Sequence, residues 1–260
     1  MICVKQMYSK IYYRMDLLFN FIVFMSLMGV DHFVFFDQGS ASPQVYELWK
    51  AAAMSGVSIE ILPWQYRGRP GWARDQNLVN EVCLYKAMYD GYENMLSIDI
   101  DEVIVPTYVD GNNKWNVEKH RSPPLISILD HLDQSHPNAF MYCFRDITFP
   151  HFSHGNDRKH HRYDLYYLQR TKYDNPLDYV DKCIYKPFLT RDIGIHWGSP
   201  VNDSFIRVNV SLDIARKHHY RDRSRIRPAP NVSSEYHVPE AMRTLLLNSD
   251  VYRNMLANWK

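Results

Sequence analysis

Asp99 and Asp101, within Asn94 to Pro106 (NMLSIDIDEVIVP), are the residues whose type and spacing most directly suggest chemistry. Met95, Leu96 and Ile98 before them read as a buried strand, and an apolar run resumes at Val103 to Val105. Residues two apart on extended chain point to the same side, so the two carboxylates can converge on one point beside Glu102. Converging carboxylates next to apolar chain are costly unless a positive charge sits between them. A hard divalent cation, manganese or magnesium, is the usual occupant of such oxygen sites. The competing reading is that these acids only cap a strand and open a turn, so their surroundings must decide.

The elements that would position them alternate. Ile2 to Lys5 reads as a short buried strand, and Tyr12 to Met28 as a helix stopped by Gly29. His32 to Phe36 is a strand closing in the turn residues Asp37-Gln38-Gly39-Ser40. A helix starts at Pro43 and runs through Met54, and Val57 to Leu62 is the next strand. After a Gly/Pro/Trp-rich loop from Pro63 to Trp72, Arg74 to Tyr89 is helical, and the strand carrying Asp99 follows. Strands separated by helices at this spacing imply an α/β fold with a mostly parallel, helix-covered central sheet. Ligands of such sheets bind beyond the carboxyl ends of the strands, which is where the acidic pair stands.

The second half is less regular. Leu125 to Leu132 reads as a short helix, and Ala139 to Ile147, Leu165 to Leu168, Lys182 to Pro187 and Val208 to Leu212 as strands. His151 to Arg162 is a His-rich loop without zinc-type spacing, expected to be solvated. Ala241 to Trp259 reads as a closing helix. With no repeats and no low-complexity linker, residues 1–260 form one expected domain, with a core over about 2–225 and a C-terminal helix near 240–260.

Composition narrows the function classes. A formal charge of +1 gives no reason to expect nucleic acid or an anionic membrane surface as partner. The basic run Arg221 to Arg227 reads as a solvated loop. Aromatic residues make up 14% of the chain, 19 of them Tyr, which suits stacking on carbohydrate as well as core packing. The four cysteines, Cys3, Cys83, Cys143 and Cys183, lack CxxC spacing and could form two disulfides without requiring any. Sequons at Asn202, Asn209 and Asn231 would be used only in the secretory pathway. No signal-peptide pattern precedes the first strand. The apolar run Leu17 to Val30 is broken by Asn20 and Ser26 and flanked by Asp16 and Asp31, so a buried helix is expected rather than a membrane span.

Several separated stretches together carry a likeness to one family. They are Gly29 to Phe33 with Phe36 to Ser40; Gln76, Asn80 and Cys83-Leu84; Ile98 to Glu102 with Pro106; Lys182 to Pro187 with Gly194-Ile195-His196; and His219-Tyr220-Arg221. In this order and spacing the chain resembles the glycosyltransferases of family 92, a largely metazoan, nematode-rich group with a GT-A fold. The resemblance implies a Golgi membrane enzyme with a lumenal domain. Such an enzyme moves a sugar, typically galactose, from a uridine diphosphate sugar to a glycan on a glycoprotein or glycolipid, with inversion. It implies a manganese or magnesium ion on Asp99 and Asp101, completed by a histidine. His219 is the first choice and His196 the second. Asp37, Gln76 and Asn80 are candidate contacts to the nucleotide or sugar, with turn and helix-end hydrogen bonding as the equal alternative. Inversion needs a base for the acceptor's hydroxyl proton, and Asp146 is the candidate.

Two departures stand out. Family members carry a Glu-Tyr-His run on the first helix where this chain has Val23-Phe24-Met25, which leaves an inactive sugar-nucleotide or glycan-binding relative as an alternative. Members also carry an N-terminal anchor and stem, whereas here Met1 abuts the first strand. A remote alternative is a haloacid-dehalogenase-like phosphohydrolase, since Asp99 to Val103 fits the DxDx[TV] nucleophile pattern. That family places its motif on the first strand, and three strands precede it here.

Overall fold

The computed structural model describes residues 1–7, 15–39, 41–64, 72–107, 123–151, 181–222 and 246–259. The first half alternates strand and helix as expected: β1 (Ile2–Met7), α1 (Met15–Met28), β2 (His32–Asp37), α2 (Pro43–Met54), β3 (Ser58–Pro63), α3 (Trp72–Tyr89) and β4 (Met95–Ile98). Then come β5 (Glu102–Pro106), α4 (Pro124–Ser135), β6 (Ala139–Phe144), β7 (Asp146–His151) and β8 (Lys182–Tyr185). A single 3-10 turn (Pro187–Leu189) leads into β9 (Thr190–Ile193), β10 (Gly198–Pro200), β11 (Ile206–Asn209), β12 (Ala215–Asp222) and a last helix, α5 (Asp250–Asn258).

Seven strands form the main sheet in the order β3-β2-β1-β4-β8-β6-β11. β4, β1, β2 and β3 run parallel, β11 is parallel to β6, and β8 alone is antiparallel to both its neighbours. Parallel strands covered on both faces need continuous apolar runs, and Phe33 to Phe36 are accordingly all fully buried. α3 covers one face through Val79, Cys83, Leu84 and Ala87. α1, α2, α4 and α5 cover the other.

α1 is apolar all round, the pattern of a helix enclosed by the core. Val23, Phe24 and Met25 have no exposed surface, so this stretch of α1 is packed core. Among the described residues no helix is long and apolar enough to cross a membrane. Phe19 of α1 packs edge-on against Tyr252 and stacks on Trp259, whose ring centroid is 5.4 Å away. Ser249 caps α5 by accepting from the Tyr252 amide at 3.1 Å. The expected closing helix Ala241 to Trp259 is interrupted: 246–248 are helical, Ser249 breaks the run before α5, and 241–245 lie outside the described residues.

All four cysteines are paired, Cys3 with Cys83 and Cys143 with Cys183. The first tie fastens α3 to β1. The second is a cross-strand pair between β6 and β8, whose register places the two cysteines directly opposite.

Three further corrections concern the site. Asp99 and Asp101 stand in a turn between β4 and β5 and not on one extended strand. The expected strand Ala139 to Ile147 is two strands broken at Arg145, so Asp146 opens β7 instead of ending its predecessor. β5, β12 and β7 make a second, three-stranded sheet that the polar run Ala215 to Asp222 gave no reason to expect. Residues 152–162, the strand Leu165 to Leu168, Arg223 to Arg227 and Asn231 lie outside the described residues.

Candidate functional site

The acidic turn exists because two backbone bonds bend the chain out of the main sheet. Glu102 N–H donates to the Asp99 carbonyl at 3.0 Å, and Tyr220 N–H donates to the Asp101 carbonyl at 2.7 Å. Asp99 and Asp101 are thereby left on the carboxyl edge with side chains 37% and 34% exposed, open to a ligand from solvent. Glu102 turns inward and is buried.

Strand register supplies the groups around it. In the second sheet His219 lies opposite Glu102, and Lys217 lies opposite Asp146. Lys217 and His219 are two apart on β12 and therefore share one face, while His218 between them points to the other. His218 is closed off against Tyr220, and burial, helped by Arg216, pushes its pKa down to about 3. It is a neutral core residue.

The result is a buried charge cluster beneath the turn. Lys217 Nζ lies 2.9 Å from Glu102 Oε1 and 3.2 Å from Asp146 Oδ1. Lys182, at the start of β8, places Nζ 3.1 Å from Glu102 Oε2 and 3.2 Å from Asp99 Oδ2. His219 Nδ1 is 3.4 Å from Glu102 Oε1, and its Nε2 is 3.5 Å from Asp101 Oδ2. Buried charges persist only when paired in this way.

The electrostatics follow. Burial alone would lower the His219 pKa, but Glu102, then Asp101 and Asp146, raise it to about 9. Burial alone would raise Asp146, but Lys217 and His219 hold its carboxyl below the ordinary value.

The expected contacts are placed unevenly. Asp37 Oδ1 accepts from the Gly39 amide and Oδ2 from the Tyr46 hydroxyl, so it shapes the turn after β2. β1 lies between β2 and β4, which sets Asp37 about 10 Å across the sheet from the acidic turn at ordinary strand spacing. Asn80 receives the Ser97 hydroxyl and donates to the Gly194 carbonyl at 2.8 Å, pinning α3 beside the end of β4. Gln76 is buried one turn earlier on the same helix. His196 Nδ1 lies 2.8 Å from the Asp181 carbonyl, which fixes the proton on that nitrogen. His219, and not His196, is the histidine whose ring reaches Asp101.

Glu102, Lys182 and Lys217 are the residues of this cluster to which sequence reasoning gave no role. The available signal was a lysine opening the apolar strand Lys182-Cys183-Ile184-Tyr185 and another inside a strand-length polar run. A cavity of about 350 Å³ lined by Tyr92, Asn94, Leu125 and Ile126 lies at the opposite, amino end of the sheet and has no part in this cluster.

With this geometry in place, comparison with known families is decisive. The model of glycosyltransferase family 92 matches residues 1–249. The chain belongs to glycosyltransferase family 92. No individually curated protein matches it. Membership assigns this family 92 protein glycosyl transfer in general, with a sugar donor and a glycan acceptor as its two partners. It also displaces the phosphohydrolase alternative. The central sheet with its helices is consistent with a GT-A-like domain.

Whether this site suits a divalent cation can be tested on its donor set. Four carboxylates, Asp99, Asp101, Glu102 and Asp146, lie around the ammonium groups of Lys182 and Lys217, and such an oxygen-rich set has the donor type of a hard divalent cation. His219, an imidazolium here, would release its proton to become a ligand. Among the described residues no three His, Cys, Asp or Glu side chains already form a metal cage. The donor types fit, with Asp99 turned toward Lys182.

Proposed function

We propose that this family 92 protein transfers a hexose, with galactose the first candidate, from a uridine diphosphate sugar to a glycan with inversion. The observation that carries the reading is the pair of part-exposed carboxylates, Asp99 and Asp101, standing over the buried cluster of Glu102, Lys182 and Lys217, with the His219 ring against Asp101. Asp99, Asp101 and His219 would hold manganese or magnesium, which supplies positive charge against the departing diphosphate. The chain's own groups do the rest. Glu102 and the lysines hold the turn in shape. Asp37 is the candidate contact to the nucleotide in this reading, while the buried Asn80, held between Ser97 and the Gly194 carbonyl, and Gln76 one turn before it would keep α3 in place beside the site.

Asp146 has a different part in this reading. It is closed to solvent and engaged by Lys217, with its carboxyl held ionised. That suits positioning His219 better than receiving a proton from an acceptor hydroxyl, which leaves the base to a residue outside the cluster. The lumen of the Golgi is the compartment we assign. Two disulfides and the exposed sequon residues Asn202 and Asn209 support it.

One observation favours a second reading. Val23, Phe24 and Met25 are core where relatives carry a polar triplet, as expected of a donor-binding but inactive relative. Calorimetry with uridine diphosphate, with manganese and with chelator, tests the shared part. Affinity should fall sharply on chelation, and equal affinity in both would remove the role given to Asp99 and Asp101. His219→Ala should raise the manganese requirement roughly tenfold or more, while His196→Ala leaves it nearly unchanged. Donor hydrolysis by the same samples separates enzyme from binder.

A further inference from the structure

The position of Lys182 has a consequence for how the site is loaded. Its ammonium is almost fully buried and lies 3.2 Å from Asp99 Oδ2 and 3.1 Å from Glu102 Oε2. It cannot easily swing aside. β8 is hydrogen-bonded between β4 and β6, and the next residue, Cys183, is bonded to Cys143. Phe144, paired with Lys182 across the strands, is fully buried behind it. A cation arriving at Asp99 from solvent therefore meets a fixed positive charge already on that carboxylate.

Resting on the metal reading above, we propose that Lys182 is the resident counter-ion of Asp99 and makes cation loading depend on an anionic partner. Like charges a few ångströms apart in a partly dry site repel strongly, so a bare divalent ion is disfavoured there. A diphosphate arriving with the ion adds negative charge, which offsets the repulsion between the ion and the buried ammonium. One residue thus penalises the bare metal and favours the metal–diphosphate pair. The two ligands become coupled, and the coupling is reciprocal.

The test uses the whole chain and two probes, manganese alone and uridine diphosphate, by calorimetry on the wild type, Lys182→Met, Lys182→Gln and Lys182→Arg. Wild type should bind bare manganese weakly and much more tightly with uridine diphosphate present. Lys182→Met should bind bare manganese at least tenfold more tightly and lose most of the enhancement given by the nucleotide. Lys182→Gln keeps a donor for Glu102 and should behave the same, which preserves the test if the methionine variant does not fold. Lys182→Arg keeps the charge and should retain the coupling.

If the neutral variants bind bare manganese no better than wild type, with wild type binding the metal–nucleotide pair, the role of Lys182 is refuted while the metal reading stands. If wild type binds no manganese even with uridine diphosphate, the metal reading and this proposal fall together.

Discussion

Glu102→Gln removes one buried negative charge from between Lys182, Lys217 and His219. The amide keeps the shape and one acceptor oxygen, so the change is almost purely electrostatic. Breaking a buried pair by neutralising one partner costs about 3–5 kcal/mol, because the remaining charge stays desolvated. At roughly 2–4 °C per kcal/mol for a chain of this size, the melting temperature should fall by about 6–20 °C. Differential scanning calorimetry in chelator at neutral pH measures it without interference from bound metal. Lys217→Met alone should cost a similar amount, since it removes the ammonium that Glu102 and Asp146 share. Combined, the two should cost less than their sum by about 1–3 kcal/mol, as expected of directly contacting charges. A Glu102→Gln midpoint within about 2 °C of wild type would mean that this carboxylate does not hold the cluster together, and the geometry of the acidic turn would need another cause.

Three further outcomes are expected. The His219 pKa is raised from 6.5 to about 9 in the fold, so its imidazolium contributes stability fully below about pH 6.5 and loses that contribution as pH rises through 9. Chelator-treated wild type should therefore lose stability over that window by roughly 3 kcal/mol relative to His219→Gln, and parallel urea-denaturation profiles for the two would refute the assignment. Replacing Cys143 and Cys183 by Ser opens a link between residues 40 apart and should cost about 3–4 kcal/mol, read as a lower guanidinium midpoint that reductant no longer shifts further once Cys3 and Cys83 are also replaced. Expressed through a secretory host, the chain should show an endoglycosidase-sensitive mobility shift that shrinks in Asn202→Gln or Asn209→Gln; an unshifted band in wild type would count against a lumenal site.

The alternating half of the fold was legible because its signals are local. Gly29, Pro43 and Gly91 punctuate runs whose length and apolar pattern fix helix or strand without reference to distant residues. α1 was legible as a buried helix from Asn20 and Ser26 interrupting a run too short for a bilayer. The second sheet was not legible, because Arg216, Lys217, His218 and His219 are all polar and show no alternation. What permits the burial of Lys217 and His219 is ion pairing with Glu102 and Asp146 on strands far away in sequence, while His218 is buried neutral. The same reason hid half of the site. Asp99 and Asp101 announce themselves as neighbours, but Glu102 is a hub only through Lys182 and Lys217, which no local pattern connects to it. The extended geometry assumed for the acidic pair failed for a related reason: the bond from Tyr220 that helps form the turn comes from a strand met more than a hundred residues later.

β12 is the middle strand of the second sheet, and it brings both Lys217 and His219 to acids that were synthesised long before it. On the ribosome, β5 and β7 emerge with Glu102 and Asp146 bare, while the β1–β4 sheet can already close around its own apolar core. Until residue 219 is free of the exit tunnel, burying those two acids would leave them without Lys217 and His219. The nascent chain therefore has a thermodynamic reason to keep the acidic turn hydrated and open while the rest compacts. Pairing over such long separations is also slow, because the loop must close before the contact stabilises it. The acidic turn can therefore take its final, buried-paired form only once β12 has joined β5 and β7.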